Sequence, residues 1–170
     1  MNSCKKVLIA MFVFYFLNGS AQLQSAVAAG VENSFSIDKV EIVEIDLDNE
    51  KMVLQAEEIF KSVFGCEYEF KNTMSKNEMC RCYVACYEKN VVAIMIIDLV
   101  ERIKLIEINF LFVNPSFIKC GIGSYMLTFL KNRFVEYAIY VDSFREAVEF
   151  YKKCGFVQVN EARPLYLKFP

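Results

Sequence analysis

Apolar and polar positions change period several times along the chain, and each change marks an element. Over residues 39–47 (KVEIVEIDL), Val40, Ile42 or Val43, and Ile45 alternate with acidic residues, the period-two pattern of a half-buried strand. Asp48 or Asn49 can then cap a helix to about Phe64, because Met52, Ala56, Ile59, Phe60 and Val63 recur at helical spacing and Gly65 ends the run. Residues 66–78, with Tyr68, Phe70, Lys71 and Lys76, hold no strong period and read as a loop or short helix. Residues 79–87 and 91–100 are β-rich runs parted by Glu88-Lys89-Asn90, which predicts a hairpin. In the next strand, 105–113, alternation places Ile106, Ile108, Phe110 and Phe112 on one apolar face and Leu105, Glu107, Asn109, Leu111 and Val113 on the other. Polar side chains inside an interior strand cost free energy unless they are solvated or used, and this marks Glu107 and Asn109.

After Pro115 the chain turns through Gly121-Ile122-Gly123 into a helix whose stripe is Ile122, Met126, Leu127, Leu130 and Phe134. A strand over 137–141 follows. Ser143 is the expected cap of a helix with the stripe Phe144, Ala147, Val148 and Tyr151, with Lys152 and Lys153 in its last turn and Gly155 just past it. Phe156 supplies the apolar residue expected after a glycine C-cap. Strands over 156–159 and 165–169, joined by 160–164, complete the set. The Gly-Ile-Gly turn ahead of a helix is a candidate anion site. N–H groups at a helix N-terminus are unpaired, they carry the positive end of the helix dipole, and glycines let a pyrophosphate approach the backbone. Alone, such a turn is also an ordinary strand-to-helix connection.

A chain of 170 residues has room for one domain with a full core, and 55% hydrophobic residues with 16 Phe and 9 Tyr excludes a disordered chain. Net charge is −2, and no polybasic block or basic helix face interrupts the sequence, so neither nucleic acid nor an anionic membrane surface is an expected electrostatic partner. Histidine is absent, which excludes Ser-His and Cys-His nucleophilic catalysis and removes the commonest zinc ligand. Of the seven cysteines, Cys80, Cys82 and Cys86 share one strand face; three thiolates without a fourth ligand make a poor zinc site, and packed free thiols are the expectation. Cys120 and Cys154 fall into no compact framework, the usage of a reducing compartment. The N-terminus points elsewhere: Lys5 and Lys6, an apolar run over 7–17 and small residues through Ala21 form a signal-peptide-like segment over 1–21, cleavable after Ala21 or Ala29. That run is too short to span a bilayer as a standard helix, though it suits membrane association. Residues 22–36 read as a linker and 37–170 as the domain.

The order strand, Pro115-x5-Gly-x-Gly, helix, strand, then Ala147-Val-Glu-Phe-Tyr151-Lys-Lys-Cys-Gly155-Phe156, resembles the GNAT superfamily of acyl-CoA-dependent N-acetyltransferases. The resemblance implies a mixed α+β fold, a twisted and mostly antiparallel sheet of six or seven strands with about four helices on both faces. It implies acetyl-CoA as cosubstrate, no metal, and a small-molecule or peptide amine as acceptor. By position, Leu111, Phe112 and Val113 correspond to the strand end that offers backbone groups to the pantetheine arm. Lys119, Cys120, Gly121, Ile122, Gly123, Ser124 and Tyr125 correspond to the turn that holds the CoA pyrophosphate. Tyr151 matches the tyrosine that protonates the departing thiolate, and Glu107 matches the glutamate that serves histone-type members as general base.

Two positions depart from the family pattern. Ile118 stands where Arg or Gln is usual, and Phe144 where Asn is frequent, so a GNAT-fold acyl-CoA-binding or interaction module is the alternative reading. Neither departure touches the backbone cradle, which depends on glycines and helix geometry. The expected surroundings are those of a CoA-containing, reducing compartment such as the cytoplasm, set against an N-terminus that suggests export. A monomer and a homodimer fit the sequence equally.

Overall fold

The protein was analysed as a computed structural model that describes residues 35–64, 77–159 and 166–170, together with Phe70 and Met74. The signal-peptide-like segment, most of the linker and of the 66–78 stretch, and the 160–164 connection lie outside the described residues. A single seven-stranded sheet runs in the order β1-β2-β3-β4-β5-β7-β6. Its strands are β1 (Val40–Glu44), β2 (Cys80–Tyr87), β3 (Asn90–Val100), β4 (Leu105–Val113), β5 (Ala138–Asp142), β6 (Val157–Gln158) and β7 (Tyr166–Phe169). Three α-helices occur among the described residues: α1 (Glu50–Phe64), α2 (Ile122–Arg133) and α3 (Val148–Lys153). Every strand pairing is antiparallel except β4 with β5. This is the mixed α+β, mostly antiparallel architecture that the family resemblance implies, with three of the roughly four expected helices among the described residues.

Local chemistry accounts for the elements. The Asn49 side chain accepts from the Met52 N–H at 3.2 Å, a cap of the kind worth about 1 kcal/mol, and α1 begins at the next residue. The β2–β3 hairpin closes through Glu88 and Lys89, at φ 50° and 67°, the left-handed pair that a two-residue type I′ turn requires. Asn90 belongs to β3 and not to the turn. Ser143 does not cap the third helix. It is buried and donates to the Phe144 carbonyl at 2.8 Å; the chain then passes through a 3₁₀ turn at Arg145–Ala147 before α3 starts, without a side-chain cap.

The sheet divides two cores. Ile106, Ile108, Ile139, Val141 and Leu167 face α2 and α3, packing with Met126, Leu127, Leu130, Tyr151 and Phe156. On the other face Val84, Ile94, Ile96 and Phe112 pack with Val53, Ala56, Ile59 and Phe60 of α1. Cys80 and Cys82 are buried in that second core, and Cys86 packs against it, so the even spacing of the three thiols does put them on one face.

Strand β4 belongs to both cores, contrary to the regular alternation expected of it. Ile97 pairs with Ile108 but Ile96 pairs with Phe110, so Asn109 is an extra residue, a β-bulge. One inserted residue reverses which way all later side chains point. Ile106 and Ile108 therefore face α2 and α3, whereas Phe110 and Phe112 turn to the α1 side and Leu111 and Val113 pack toward α2 and α3. Inserting one alanine after Asn109 should turn Phe110 and Phe112 toward the wrong core and cost several kcal/mol, about 2–3 per misplaced aromatic, whereas deleting Asn109 removes the extra residue and leaves both rings facing α1. Urea unfolding checks this, and an insertion variant as stable as the parent, or a deletion variant as damaged as the insertion, would refute the register.

Candidate active site

The site grows from the one parallel pairing. The β4–β5 ladder runs through four pairs, from Leu105↔Ala138 to Ile108↔Val141, and ends there. Beyond Ile108 no β4–β5 pair remains while β4 runs on to Val113, so the gap along this edge of β4 begins at the bulge of Asn109. The bulge of β4 against β3 falls at this same point, and β5 itself ends at Asp142, one residue past the last pair. The Asn109 side chain is half-buried beside the gap. The sequence reading singled it out only as a polar residue in an apolar strand, and that polarity was the available signal.

Past β4, the Asn114 side chain accepts from the Ser116 N–H at 3.0 Å and a 3₁₀ turn covers Pro115–Phe117. Lys119 (φ 68°) and Gly121 (φ 83°) are both left-handed, and Gly121 is the N-cap of α2. The first backbone bond of the helix is Tyr125 N–H to the Gly121 carbonyl at 3.0 Å. Cys120 N–H is engaged by the Phe117 carbonyl at 3.3 Å. Five N–H groups, those of Lys119, Gly121, Ile122, Gly123 and Ser124, have no hydrogen-bond partner among the described residues. They sit at the positive end of a twelve-residue helix, an anion cradle whose donors are backbone. Of the seven residues assigned to this turn from the sequence, Cys120 and Tyr125 thus have their N–H groups already committed. Ile118, at the departing position, is 52% exposed beside the cradle.

Gly123 serves a different purpose from Gly121. A Cβ there would lie 3.1 Å from the Phe150 ring and 3.8 Å from Val113, so the glycine lets α3 close onto the first turn of α2. The end of α3 is a Schellman motif: Phe156 N–H bonds the Tyr151 carbonyl at 3.0 Å, and Gly155, at φ 88°, bonds the Lys152 carbonyl at 2.9 Å. The accompanying apolar contact is the edge-on meeting of the Tyr151 and Phe156 rings, with centroids 5.4 Å apart.

Tyr151 is 6% exposed in the α2/α3 core, and burial pushes its phenol well above its ordinary value. Glu107 lies half-buried on the opposite face of the sheet, the cross-strand neighbour of Asp98 on β3 and of Tyr140 on β5. The structure therefore does not place Tyr151 and Glu107 side by side; it sets them on the two faces of the sheet, with the parting of β4 and β5 between those faces. Leu111 and Val113 line β4 on the Tyr151 side and Phe112 on the other. Among the described residues, no group of Cys, Asp and Glu side chains is arranged to hold a metal ion, and Cys80, Cys82, Cys86, Cys120 and Cys154 are free thiols.

Residues 78–158 match the family model described as an acetyltransferase (GNAT) domain. No curated protein sequence matches the chain. Among solved structures the fold is similar to that of GCN5 from Tetrahymena (13% identity, 76% of this chain and 93% of that chain covered, TM-score 0.61). It is similar too to the ribosomal-protein-S18-alanine N-acetyltransferase from Escherichia coli (16% identity, 71% and 79% covered, TM-score 0.59). A third similar fold is an aminoglycoside 6′-N-acetyltransferase solved with coenzyme A (18% identity, 75% and 93% covered, TM-score 0.58).

Two measurements follow from this geometry. An alanine at Gly121 meets open space but must hold a left-handed φ, so Gly121→Ala should cost about 1–2 kcal/mol in urea unfolding without any steric clash. Burial also raises the Cys80 thiol from its ordinary 9.0 to about 11 and pushes Cys82 and Tyr151 higher still. Raised folded values mean that the unfolded chain loses these protons first as pH rises. Stability should therefore be full below about pH 9 and fall above it, by up to about 1.4 kcal/mol per pH unit for each group, and Cys80→Ala should flatten the fall between pH 9.0 and 11.

Proposed function

We propose that this chain, whose residues 78–158 match the acetyltransferase (GNAT) domain model, transfers the acetyl group of acetyl-CoA to a primary amine by direct attack in a ternary complex. The observation that carries this reading is the meeting, at one end of β4, of five backbone N–H groups without partners and the parting of β4 from β5. The first suits a pyrophosphate and the second suits an extended arm lying along a strand edge. Acetyl-CoA supplies an acyl group already activated as a thioester. In this reading, Lys119, Gly121, Ile122, Gly123 and Ser124 bind the phosphate oxygens through their N–H groups. Leu111, Phe112 and Val113 align the pantetheine arm strand-fashion. Cys120 and Tyr125 contribute to the shape of the turn through the bonds their N–H groups already make.

Proton handling divides between the two faces of the sheet. A primary amine has an ordinary pKa of about 10.4 and must lose a proton before it can attack. Glu107 receives that proton, directly or through water, on the α1 side. Tyr151 acts from the α2/α3 side. Its phenol, held protonated by burial, donates to the departing thiolate, whose conjugate acid has an ordinary value of about 8.5. The nitrogen sheds its second proton as the intermediate collapses to the amide, and a proton passed through water restores the Tyr151 phenol. The acceptor is a small-molecule or peptide amine, in keeping with relatives whose names specify an aminoglycoside or a protein alanine. The free thiols at Cys80, Cys82 and Cys86 support action in a reducing, CoA-containing compartment, with residues 1–21 serving export or membrane association.

Release of CoA thiol from acetyl-CoA, assayed with aminoglycosides, alkyl diamines and alanine-ended peptides as acceptors, tests the activity. Tyr151→Phe should lower kcat by about 10²-fold or more while KM for acetyl-CoA changes little. Glu107→Gln should reduce kcat/KM for the amine strongly at pH 7 and much less near pH 10, where the amine deprotonates unaided. Turnover unchanged in both variants would overturn the assignment of acid and base.

A further inference from the structure

We propose that Lys131 is a positioning residue that sets Tyr151 in place by gripping the C-terminus of α3, a role that rests on the reading of Tyr151 given above. α3 is only six residues long, Val148–Lys153, and neither it nor the 3₁₀ turn before it has a side-chain cap. A helix of that length does not hold its own position, and what surrounds it must. Lys131, two turns along α2 from the anion cradle, donates from Nζ to the carbonyl of Cys154, the C-cap residue of α3. The charge lies at the end of the helix where a cation is favoured.

The grip is specific in how the ammonium is held. Nζ lies 3.8 Å from the centroid of the Phe169 ring and 5.4 Å from that of Phe156. Among the described residues Lys131 has no ion pair with a carboxylate. Among the described residues, a carbonyl and two aromatic faces lie around the ammonium, with the Cys154 thiol nearby. Burial lowers the pKa of the amine, as expected of an ammonium drawn out of water. Phe156 passes the constraint on, since its ring meets Tyr151 edge-on at 5.4 Å. Cys154 is held a second time by α2, its Sγ lying 3.6 Å from Ser124 Oγ in the first helical turn. The C-cap residue of α3 is thus held through its carbonyl and its side chain by two α2 residues on the same helix face, seven positions apart. The helix that carries the cradle thereby sets the distance to Tyr151.

A double-mutant cycle tests the proposal, using acetyl-CoA with whichever acceptor of the panel above is turned over. Lys131→Met should lower kcat about tenfold, the scale expected of a small misplacement, with KM for acetyl-CoA within about twofold. The same change made in Tyr151→Phe should lower kcat no further. Lys131→Arg keeps charge, donors and ring stacking and should restore most of the loss. In the ligand-free protein, hydrogen exchange at the Gly155 and Phe156 amides should accelerate in Lys131→Met and recover in Lys131→Arg. Equal losses of kcat in both backgrounds, or unaltered exchange, would overturn the role of Lys131. If Lys131→Met fails to fold, Phe169→Leu removes the ring beneath the ammonium and takes its place in the cycle with the same expectations. Should Tyr151→Phe alone leave turnover intact, the reading of Tyr151 as acid falls, and the exchange measurement still judges the grip of Lys131 on α3.

Discussion

Four residue pairs between β4 and β5 are the constraint on which the rest of this structure depends. They make the only parallel contact in the described sheet, and a parallel contact obliges the chain to leave one end of β4, cross a face of the sheet and return at the other end. That crossing is α2. Its N-terminus consequently lies where β4 ends, so the cradle of free N–H groups and the gap between the strands share one location by topology. The ladder stops where β4 bulges against β3, at Asn109. A longer ladder would close the gap, and a shorter one would leave the C-terminal strands poorly anchored.

The bulge also explains how one strand serves two cores without a polar break. Isoleucines before it face α2 and α3, and phenylalanines after it face α1. Free energy of burial on each face is therefore tied to the geometry of the gap, since the register cannot slip without moving apolar side chains into the wrong layer. On the α2/α3 side, the close approach of Phe150 to Gly123 and the Schellman end of α3 bring two sequence motifs about thirty residues apart into direct contact. Neither motif has its shape alone.

Much of this was legible from the residues. The amphipathic stripe of α1 and its Asn49 cap, the β2–β3 hairpin, the two glycines at left-handed φ and the apolar residue after Gly155 each follow from local rules and stand where those rules put them. What escaped did so for physical reasons. After Asn109 both strand parities are apolar, as Leu111 and Val113 are as hydrophobic as Phe110 and Phe112, so the pattern holds no record of the reversal. Ser143 has the chemistry of a cap, but burial gave its hydroxyl the nearest carbonyl instead. Glu88 and Lys89 carry none of the residue preferences of the turn they adopt; the pairing of the strands imposes it. The availability of each N–H in the cradle depends on tertiary hydrogen bonds, which is why Cys120 could not be told from Gly121 in advance. In Lys131, a basic residue in the last turn of a helix reads as ordinary dipole compensation, and nothing local announces rings twenty-five and thirty-eight positions later.

The parallel ladder has a consequence for the order in which the protein takes shape. β2, β3 and β4 are joined by short connections and form an antiparallel meander from contacts close in sequence, which assemble quickly because little loop entropy is lost. The outer edge of β4 must wait for Ala138–Asp142, after an entire helix has been made. Until then β4 presents a long hydrophobic edge, the kind that recruits other chains. The gap at the candidate site is thus the last part of the sheet to be defined and the part most exposed to misassembly beforehand. Binding in that gap would act as a late brace on the fold.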